Sequence, residues 1–440
     1  MINQLSISDP FLLHLLSKAP GKPRENGYGG PHPRAVDRLV SIVFYGRSGS
    51  NFVMSLLDGH PDLLCLGSRE FRSFFNFFDS HGGSTTEAQL SWALRTYGEN
   101  LEYPGKSSVS FVTTNTGAKI HVPADIPFRF VDKPDAVPSD GPLISQFIIR
   151  FLGLAYTFYG DPAVGRLSAG DFFTLFHIAY NECIDRPLSP NIRTIAWNMH
   201  VPDAAMARGA RGYFPAGQFI HVVRRPTQGL GSHFKHYHDP HLPLPDDIAK
   251  EEMALHVLRM MMNGDTPLRS EAFADRAIRL EDIHGDPEPT LRRLCAAIGI
   301  NWNPSLMSST VFGKPFSLPS ANGNISGFTT AHLQNQHTDI MPPEDLKFLE
   351  NLLSPHYRRW RYEPLQEILP SIERFKYLIE AYQRPLEIER VSWKVATAAG
   401  VPEAKIKMAE QEVRDMFRIR IALELEIARN AEPPRSFELI

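Results

Sequence analysis

Residues 38–51 read RLVSIVFYGRSGSN. β-Branched and aromatic residues crowd 38–45 without polar alternation, the pattern of a strand buried on both faces in a parallel sheet. Gly46 ends the run and small residues follow it. Val53, Met54, Leu56 and Leu57 then return with helical spacing, and Gly59-His60-Pro61 closes that helix. A buried strand turning straight into a helix makes an anion site. Successive backbone N–H groups point into the turn, and the helix N-terminus adds a partial positive charge. Gly49 lets the backbone approach an anion closely, Ser50 and Asn51 add side-chain donors, and Arg47 adds a planar cationic fork. The plain alternative is a strand-to-helix turn whose glycine serves packing. The GxxxxGK[ST] pattern is missing, since no Lys follows Gly49, and no acid after a second strand stands out to hold magnesium. The turn therefore suits an anionic donor whose transfer needs no metal.

Outward from this unit, strands and helices alternate. RTIAWNM (193–199), QFIHVVRR (218–225) and AIRLED (277–282) read as strands, with a shorter one over 62–66. Residues 168–184 form an amphipathic helix, with Phe172, Phe173 and Phe176 on its core stripe. Residues 287–300 form another, with Pro287 in its first turn and Gly299 at its end. The expected fold is α/β: a three-layer, P-loop-like parallel sheet flanked by helices, with helical insertions and a C-terminal helical extension. Residues 1–34 read as a leader or linker and 35–365 as the main domain. Within it 80–167 is an insertion facing the acceptor, and 366–440 is the helical extension. Residues 70–78, dense in Phe, read as loop or helix.

Composition narrows the function. Of 440 residues, 46 are basic and 49 acidic, a net charge of −3, which argues against a nucleic-acid partner. Hydrophobic content of 42% excludes a disordered chain, and 36 prolines point to long punctuated loops. Cys65, Cys183 and Cys295 form no close pair and no thiolate metal site, which suits a reducing compartment. The apolar run at 11–16 is too short to span a bilayer, so a cytoplasmic protein without an integral membrane segment is expected.

A second anchor lies at Arg224-Arg225-Pro226-Thr227-Gln228-Gly229-Leu230-Gly231-Ser232. Arg224 ends a buried strand and Ser232 follows eight residues later in a helix. Ligands bind at the carboxyl ends of strands in such sheets, so the two side chains can converge on one phosphate. The alternative is a surface ion pair for Arg224 and ordinary helix surface for Ser232.

Together the two anchors resemble the sulfotransferases that use 3′-phosphoadenosine-5′-phosphosulfate (PAPS), in particular Golgi-type and bacterial members. In that family a strand–loop–helix of the type [RK]SG[ST][ST] binds the 5′-phosphosulfate. A later strand ending R-x-P, with a Ser eight residues after the Arg, binds the 3′-phosphate. Here these are RSGSN (Arg47, Ser48, Gly49, Ser50, Asn51) and RRPTQGLGS. GRSGSNFVMSLLDGHPDLLCL resembles Golgi-type and bacterial members, which carry a D-x-H-P after the loop helix. LEDIHGDPEPTLRRLCAAIGI, SSTVFGKPFSLPSANGNISGF and LKFLENLLSPHYRRWRYEP are similar to later family segments. The resemblance spans roughly residues 38–364. Leu280 replaces a usual Tyr, Asn51 a usual Thr, and His200-Val201-Pro202 stands where tyrosylprotein-type members carry K-x-P with a catalytic Lys.

The resemblance implies metal-independent, in-line transfer of a sulfuryl group from PAPS to a hydroxyl, leaving PAP. Such a transition state is loose, so catalysis rests on positioning and fixed positive charge. Glu70 is the first choice for the base that takes the acceptor proton, with the Phe71–Phe78 phenylalanines as an apolar wall that raises its pKa. A surface pair with Arg69 or Arg72 is its alternative. His200 is the second choice, while His60 reads as a turn residue. Phe52 stands where some members stack on adenine, with a core role as the alternative. Lys314 is a contact to the 3′-phosphate or the bridge oxygen from a loop, or a solvated lysine. His233, His236, His238 and His241 invite a zinc reading, but Asp239-Pro240 breaks the helical pattern. They suit the acceptor mouth or solvent better. The acceptor expected is a carbohydrate, with a small alcohol or phenol, a lipid-linked glycan or a tyrosine also open, and the chain could form a homodimer. The competing functions are an ATP-binding kinase or NTPase-like enzyme and an inactive nucleotide-binding scaffold.

Overall fold

The computed structural model describes residues 28–44, 48–71, 74–81, 84–90, 92–93, 110–113, 119–122, 144–183, 186–200, 204–238, 252–262, 276–311, 314–315, 317–320, 323–330, 333, 340–429 and 438–440. At its centre are the strands β1 (Arg38–Phe44), β2 (Leu63–Glu70), β3 (Thr194–His200), β4 (Gln218–Val223), β5 (Arg276–Arg279) and β6 (Glu438–Leu439). They form one sheet in the order β6-β5-β4-β1-β3-β2, and every neighbouring pair is parallel. The chain leaves β1 for the far edge, returns through β3, and crosses to the other side of β1 at β4. β1 therefore sits where the order reverses, the place where open α/β sheets bind ligands.

Among the described residues, the helices before residue 300 are α1 (Ser50–Leu57), α2 (Phe74–His81), α3 (Ile144–Tyr159), α4 (Ala169–Cys183), α5 (Ala204–Tyr213), α6 (Pro226–Tyr237), α7 (Met253–Met262), α8 (Leu280–Gly285) and α9 (Pro287–Ile298). Alternate residues of β1 serve opposite faces. Leu39 and Val43 join Phe71, Phe74, Phe147, Phe172, Phe173, Phe176 and Trp197 in one core. Val40 and Ile42 join Phe52, Val53, Leu57, Leu280 and Leu291 in the other. The sheet is thus covered by helices on both sides, the expected α/β layering. Each fully buried Leu, Ile, Val or Phe contributes about 1.5–3 kcal/mol. Trp197, on β3, donates its indole N–H to Ser41 of β1 at 2.6 Å, so this polar pair inside the core is satisfied.

Three elements differ from the sequence expectation. β2 runs on to Glu70, beyond 62–66, with a register irregularity between Cys65 and Glu70. The Cys65 carbonyl there accepts from Asn181 Nδ2 at 3.2 Å, which satisfies a group at the irregularity. The strand expected over 277–282 stops at Arg279, and Leu280, Glu281 and Asp282 open α8. Two acids in a first turn complement the helix dipole, which favours helix at that point.

The third concerns the C-terminus. Helices α10 (Pro343–Leu352), α11 (Ser354–Trp360), α12 (Ser371–Ala381), α13 (Glu387–Ala398) and α14 (Glu403–Arg429) follow the sheet. They share one apolar core with α6 and α7, through Phe234, Leu258, Phe375, Leu378, Ile388 and Phe417. The chain then returns to the sheet: Glu438–Leu439 pairs with Arg276 and Ala277 as its edge strand, and Ile440 N–H donates to the Ala277 carbonyl at 2.9 Å. No helix among the described residues is long and apolar enough to cross a membrane.

His177 on α4 is wholly buried among Phe71 and Phe173, with Nδ1 donating to the Phe173 carbonyl at 2.8 Å. Burial pulls its pKa from 6.5 down to about 3. Between those values the unfolded chain binds a proton that the folded chain excludes, so stability falls as pH drops below 6.5. Replacing His177 with Phe removes this contribution. The difference in unfolding free energy between pH 7 and pH 5, measured by urea denaturation, should shrink by about 2 kcal/mol. An unchanged difference would refute the assignment, whatever the variant's own stability.

Candidate active site

The parallel registers align the carboxyl ends of five strands. Phe44 of β1 lies opposite His200 of β3 and Val222 of β4. Val223 lies opposite Arg279 of β5, and Glu70 lies opposite Asn198. Glu70, His200, Phe44, Arg224 and Leu280 therefore stand along one rim, at the ends of adjacent strands about 5 Å apart. Arg47 is outside the described residues, as are the side chains of Glu70, His200 and Lys314.

Ser48 is buried, and its Oγ has no hydrogen-bond partner among the described residues. An unsatisfied buried hydroxyl at the mouth of a helix is costly unless a ligand accepts from it or donates to it. Gly49 precedes α1 at φ 94°, a left-handed conformation that glycine adopts without cost. A side chain there would also collide with Leu280, whose Cδ1 lies 2.4 Å from the position a Cβ would take. The close approach at Gly49 is thus made by Leu280, where the sequence pattern suggests an anion. Ser50 is buried in the first turn of α1. Asn51 accepts from Asn198 Nδ2 at 3.5 Å, and the Asn198 Oδ1 is buried with no partner among the described residues. The sequence reading passed over Asn198. Its one available signal is its place two residues before His200 on a strand aimed at the rim.

Arg224 follows the last residue of β4 directly and is half-buried; Ser232 lies on α6, also half-buried. The segment between them is firmly held. The Arg225 N–H donates to Glu281 Oε1 at 3.0 Å, and Tyr362 Oη donates to Glu281 Oε2 at 2.7 Å. Thr227 Oγ1 donates to Tyr357 Oη at 2.9 Å, and that hydroxyl donates to Glu350 Oε1 at 2.9 Å. Arg279 forks onto Asp282 at 2.7 and 2.8 Å, and this hydrogen-bonded carboxylate raises the arginine's pKa. Burial, helped by the Glu281 charge, pushes the Tyr362 hydroxyl well above its usual range, so it stays a donor.

Phe52 is a core residue: its ring stacks on His284 at 4.6 Å and meets Phe328 edge-on at 5.5 Å. The segment containing Lys314 is pinned at both ends to the same region. Ser309 donates to Ser55 at 2.6 Å, Thr310 donates to Asp58 at 3.2 Å, and Thr329 N–H donates to His284 Nδ1 at 3.2 Å. Between them, Thr310–Val311 pairs with Lys314–Pro315 and Ser317–Ser320 pairs with Gly323–Ser326. His60 is at the opposite edge of the sheet, before β2. Its Nδ1 accepts from Asp62 N–H at 3.2 Å, and its Nε2 donates to the Asn301 carbonyl at 2.9 Å. Burial lowers its pKa, so it is a neutral turn residue. His233 packs edge-on against His256, and His238 stacks on Phe234, while His241 is outside the described residues. Among the described residues no three or more His, Cys, Asp or Glu side chains gather as a metal site.

A parallel sheet with helices packed on both faces belongs to the α/β class. The resemblance drawn from the sequence is matched independently: residues 204–304 fit the model of the sulfotransferase family. That stretch holds Arg224, Ser232, Leu280, Glu281 and Asp282. No curated protein matches the chain. Among solved structures, the chain is similar to a sulfotransferase domain of the Synechococcus PCC 7002 olefin synthase, at 16% identity, covering 83% of this chain and 99% of that one, with a TM-score of 0.35. It is similar to the sulfotransferase domain of the curacin biosynthetic pathway at 14% identity, with 61% and 76% covered and a TM-score of 0.31. Sulfotransferase STF9 from Mycobacterium avium is 15% identical, with 62% and 68% covered and a TM-score of 0.30.

The Gly49–Leu280 contact yields a test by double-mutant cycle. Gly49→Ala should destabilise the chain through both the positive φ and the collision. In a Leu280→Ala background the cost should fall by about 1 kcal/mol, because only the collision is relieved. Strict additivity in chemical denaturation would contradict the packing described.

Proposed function

We propose that this chain is a sulfotransferase that moves the sulfuryl group of PAPS onto a hydroxyl acceptor and releases PAP. The observation that supports the reading is that Arg224, inside the family-matched stretch, directly follows the last residue of the strand that pairs with β1. The orphaned Ser48 hydroxyl fits an anionic group at that turn. PAPS, when bound, supplies an activated sulfuryl group already joined to a good leaving phosphate.

The chain's own groups then have separate tasks. Arg47, the amides after Ser48, Ser50 and Asn51 hold the 5′-phosphosulfate and meet charge that grows on the leaving oxygen. Arg224 and Ser232 hold the 3′-phosphate, and Glu281 fixes the backbone between them. Lys314 approaches the nucleotide from the segment pinned on α1. Glu70, at the end of β2, takes the proton of the acceptor hydroxyl, and His200 on the adjoining strand is the alternative base. This scheme asks for no metal. The acceptor we favour is a carbohydrate hydroxyl; a small alcohol or phenol, a lipid-linked glycan and a tyrosine are the other classes. A cytoplasmic setting and a homodimer complete the reading.

Isothermal titration with PAP tests it. Wild-type chain should bind PAP more tightly than ATP–Mg, and Arg224→Ala should weaken PAP about 10- to 100-fold, the cost of one charged hydrogen-bonded contact. Radiolabelled PAPS with a panel of hydroxyl acceptors should show transfer that Arg47→Ala abolishes. Tighter binding of ATP–Mg would point to a kinase instead, and PAP binding without transfer to any acceptor would point to a scaffold.

A further inference from the structure

Asn198 is a polar residue on an apolar face. On β3 it shares a side with Ala196, and the pairings of Ala196 with Val40 and of Asn198 with Ile42 put that side in the core that packs under α1. It is 1% exposed, and an apolar side chain of the same shape would fit such a core at less cost. On its other edge it pairs with Glu70 of β2. Its strand therefore lies between β2, which ends in the proposed base, and β1, which leads to α1.

The two ends of its amide are unevenly used. Nδ2 donates to Asn51 Oδ1 at 3.5 Å, while the Asn198 Oδ1 is buried and has no partner among the described residues. A buried amide normally satisfies both ends, and an acceptor left unmade is costly. Asn51 is the second residue of α1, half-buried at the helix N-terminus. An anion drawn there by the helix dipole is attracted by an NH2 group and repelled by a carbonyl oxygen. Which end of its amide Asn51 presents depends on what holds the other end. A donor placed at its Oδ1 directs its NH2 to the anion. The contact is long, but hydrogen bonds in series strengthen one another, so an anion engaging Asn51 Nδ2 tightens it.

We infer that Asn198 is a positioning residue for the anion site: its Nδ2 holds Asn51 Oδ1 and so presents the Asn51 NH2 to the 5′-phosphate end of the donor. For the identity of that anion the inference rests on the sulfotransferase reading.

Isothermal titration of the full chain with PAP, alongside thermal unfolding, tests it. Asn198→Leu keeps the shape and removes both the donor and the unmet acceptor. It should weaken PAP about fivefold or more with Tm unchanged or raised, whereas a merely structural role gives a lower Tm and unaltered affinity in the folded chain. Asn198→Asp replaces the donor by an acceptor at constant size. At pH 8 it should weaken PAP about tenfold or more. Its Kd relative to wild type at the same pH should recover towards about pH 5, as a protonated carboxyl regains an O–H that donates to Asn51. In an Asn51→Ala background both losses should shrink to about twofold or less, while direct repulsion of PAP by a carboxylate at 198 would persist there. Should Asn198→Leu fail to fold, Asn198→Asp decides alone. The inference is overturned if wild type binds PAP and the variants bind it equally well, or if their losses persist undiminished in Asn51→Ala. Wild type that binds no PAP would overturn the sulfotransferase reading, and this inference with it.

Discussion

The hydrogen bonds that join β1 to β3 on one side and β4 on the other fix everything at the rim. β1 is buried on both faces, with Leu39 and Val43 in one core and Val40 and Ile42 in the other. A slip of one residue would exchange these sets between two cores of different shape, so a single register is enforced. That register sets Phe44 level with His200 and Val222. The start of α1, the end of β3 and Arg224 then all lie at the carboxyl ends of neighbouring strands. The proposed grip on a nucleotide is a consequence of packing that the hydrophobic cores would demand in any case.

What packing does not supply is rigidity beyond the strand ends, and here the half-buried Glu281 and the buried Glu350 take over. Glu281 accepts from the Arg225 amide and from Tyr362, tying the end of β4 to α8 and to the segment after α11. Thr227, Tyr357 and Glu350 form a second chain of hydrogen bonds from the start of α6 into the C-terminal helices. Glu350 also accepts from the amides of Leu365 and Gln366 at 3.0 and 2.6 Å. Each of these two carboxylates is satisfied by two or more donors, the condition under which the buried Glu350 is tolerated. The C-terminal helices therefore stabilise the rim segment from behind, and the return of residues 438–440 to β5 closes the sheet at that edge.

The central strand and α1 were legible because a run of β-branched residues, a glycine and a helical period follow one another with no competing pattern. The end of β4 and the start of α6 were legible for a similar reason: a buried run ends in a charged residue and a proline. Local pattern misled at 280–282, where Leu280 continues an apolar alternation while the acids after it favour a helix start. Glu438–Leu439 is too short to carry a period and is held by partners more than 160 residues away in sequence. The use of Gly49 was half legible. Its positive φ follows from the turn, but the collision with Leu280 is a tertiary fact that no spacing announces. Asn198 escaped because its partner, Asn51, comes from a separate element.

Helix α1 links these levels. Its N-terminus faces the rim, and its body supplies Phe52, Ser55 and Asp58 as anchors for the segment that carries Lys314. The stacking of Phe52 on His284 joins that helix to α8, which in turn holds Glu281 against the Arg225 amide. A change in how α1 sits would therefore reach Ser48 and Gly49 before it, the Lys314 segment and the Arg224 segment at once. In the proposed reaction the same helix would sense the donor's sulfuryl end and set the position of the groups around its other end. A buried Phe52 serves that coupling better than an exposed ring stacked on a base, because a core contact transmits displacement where a solvent-facing one would absorb it.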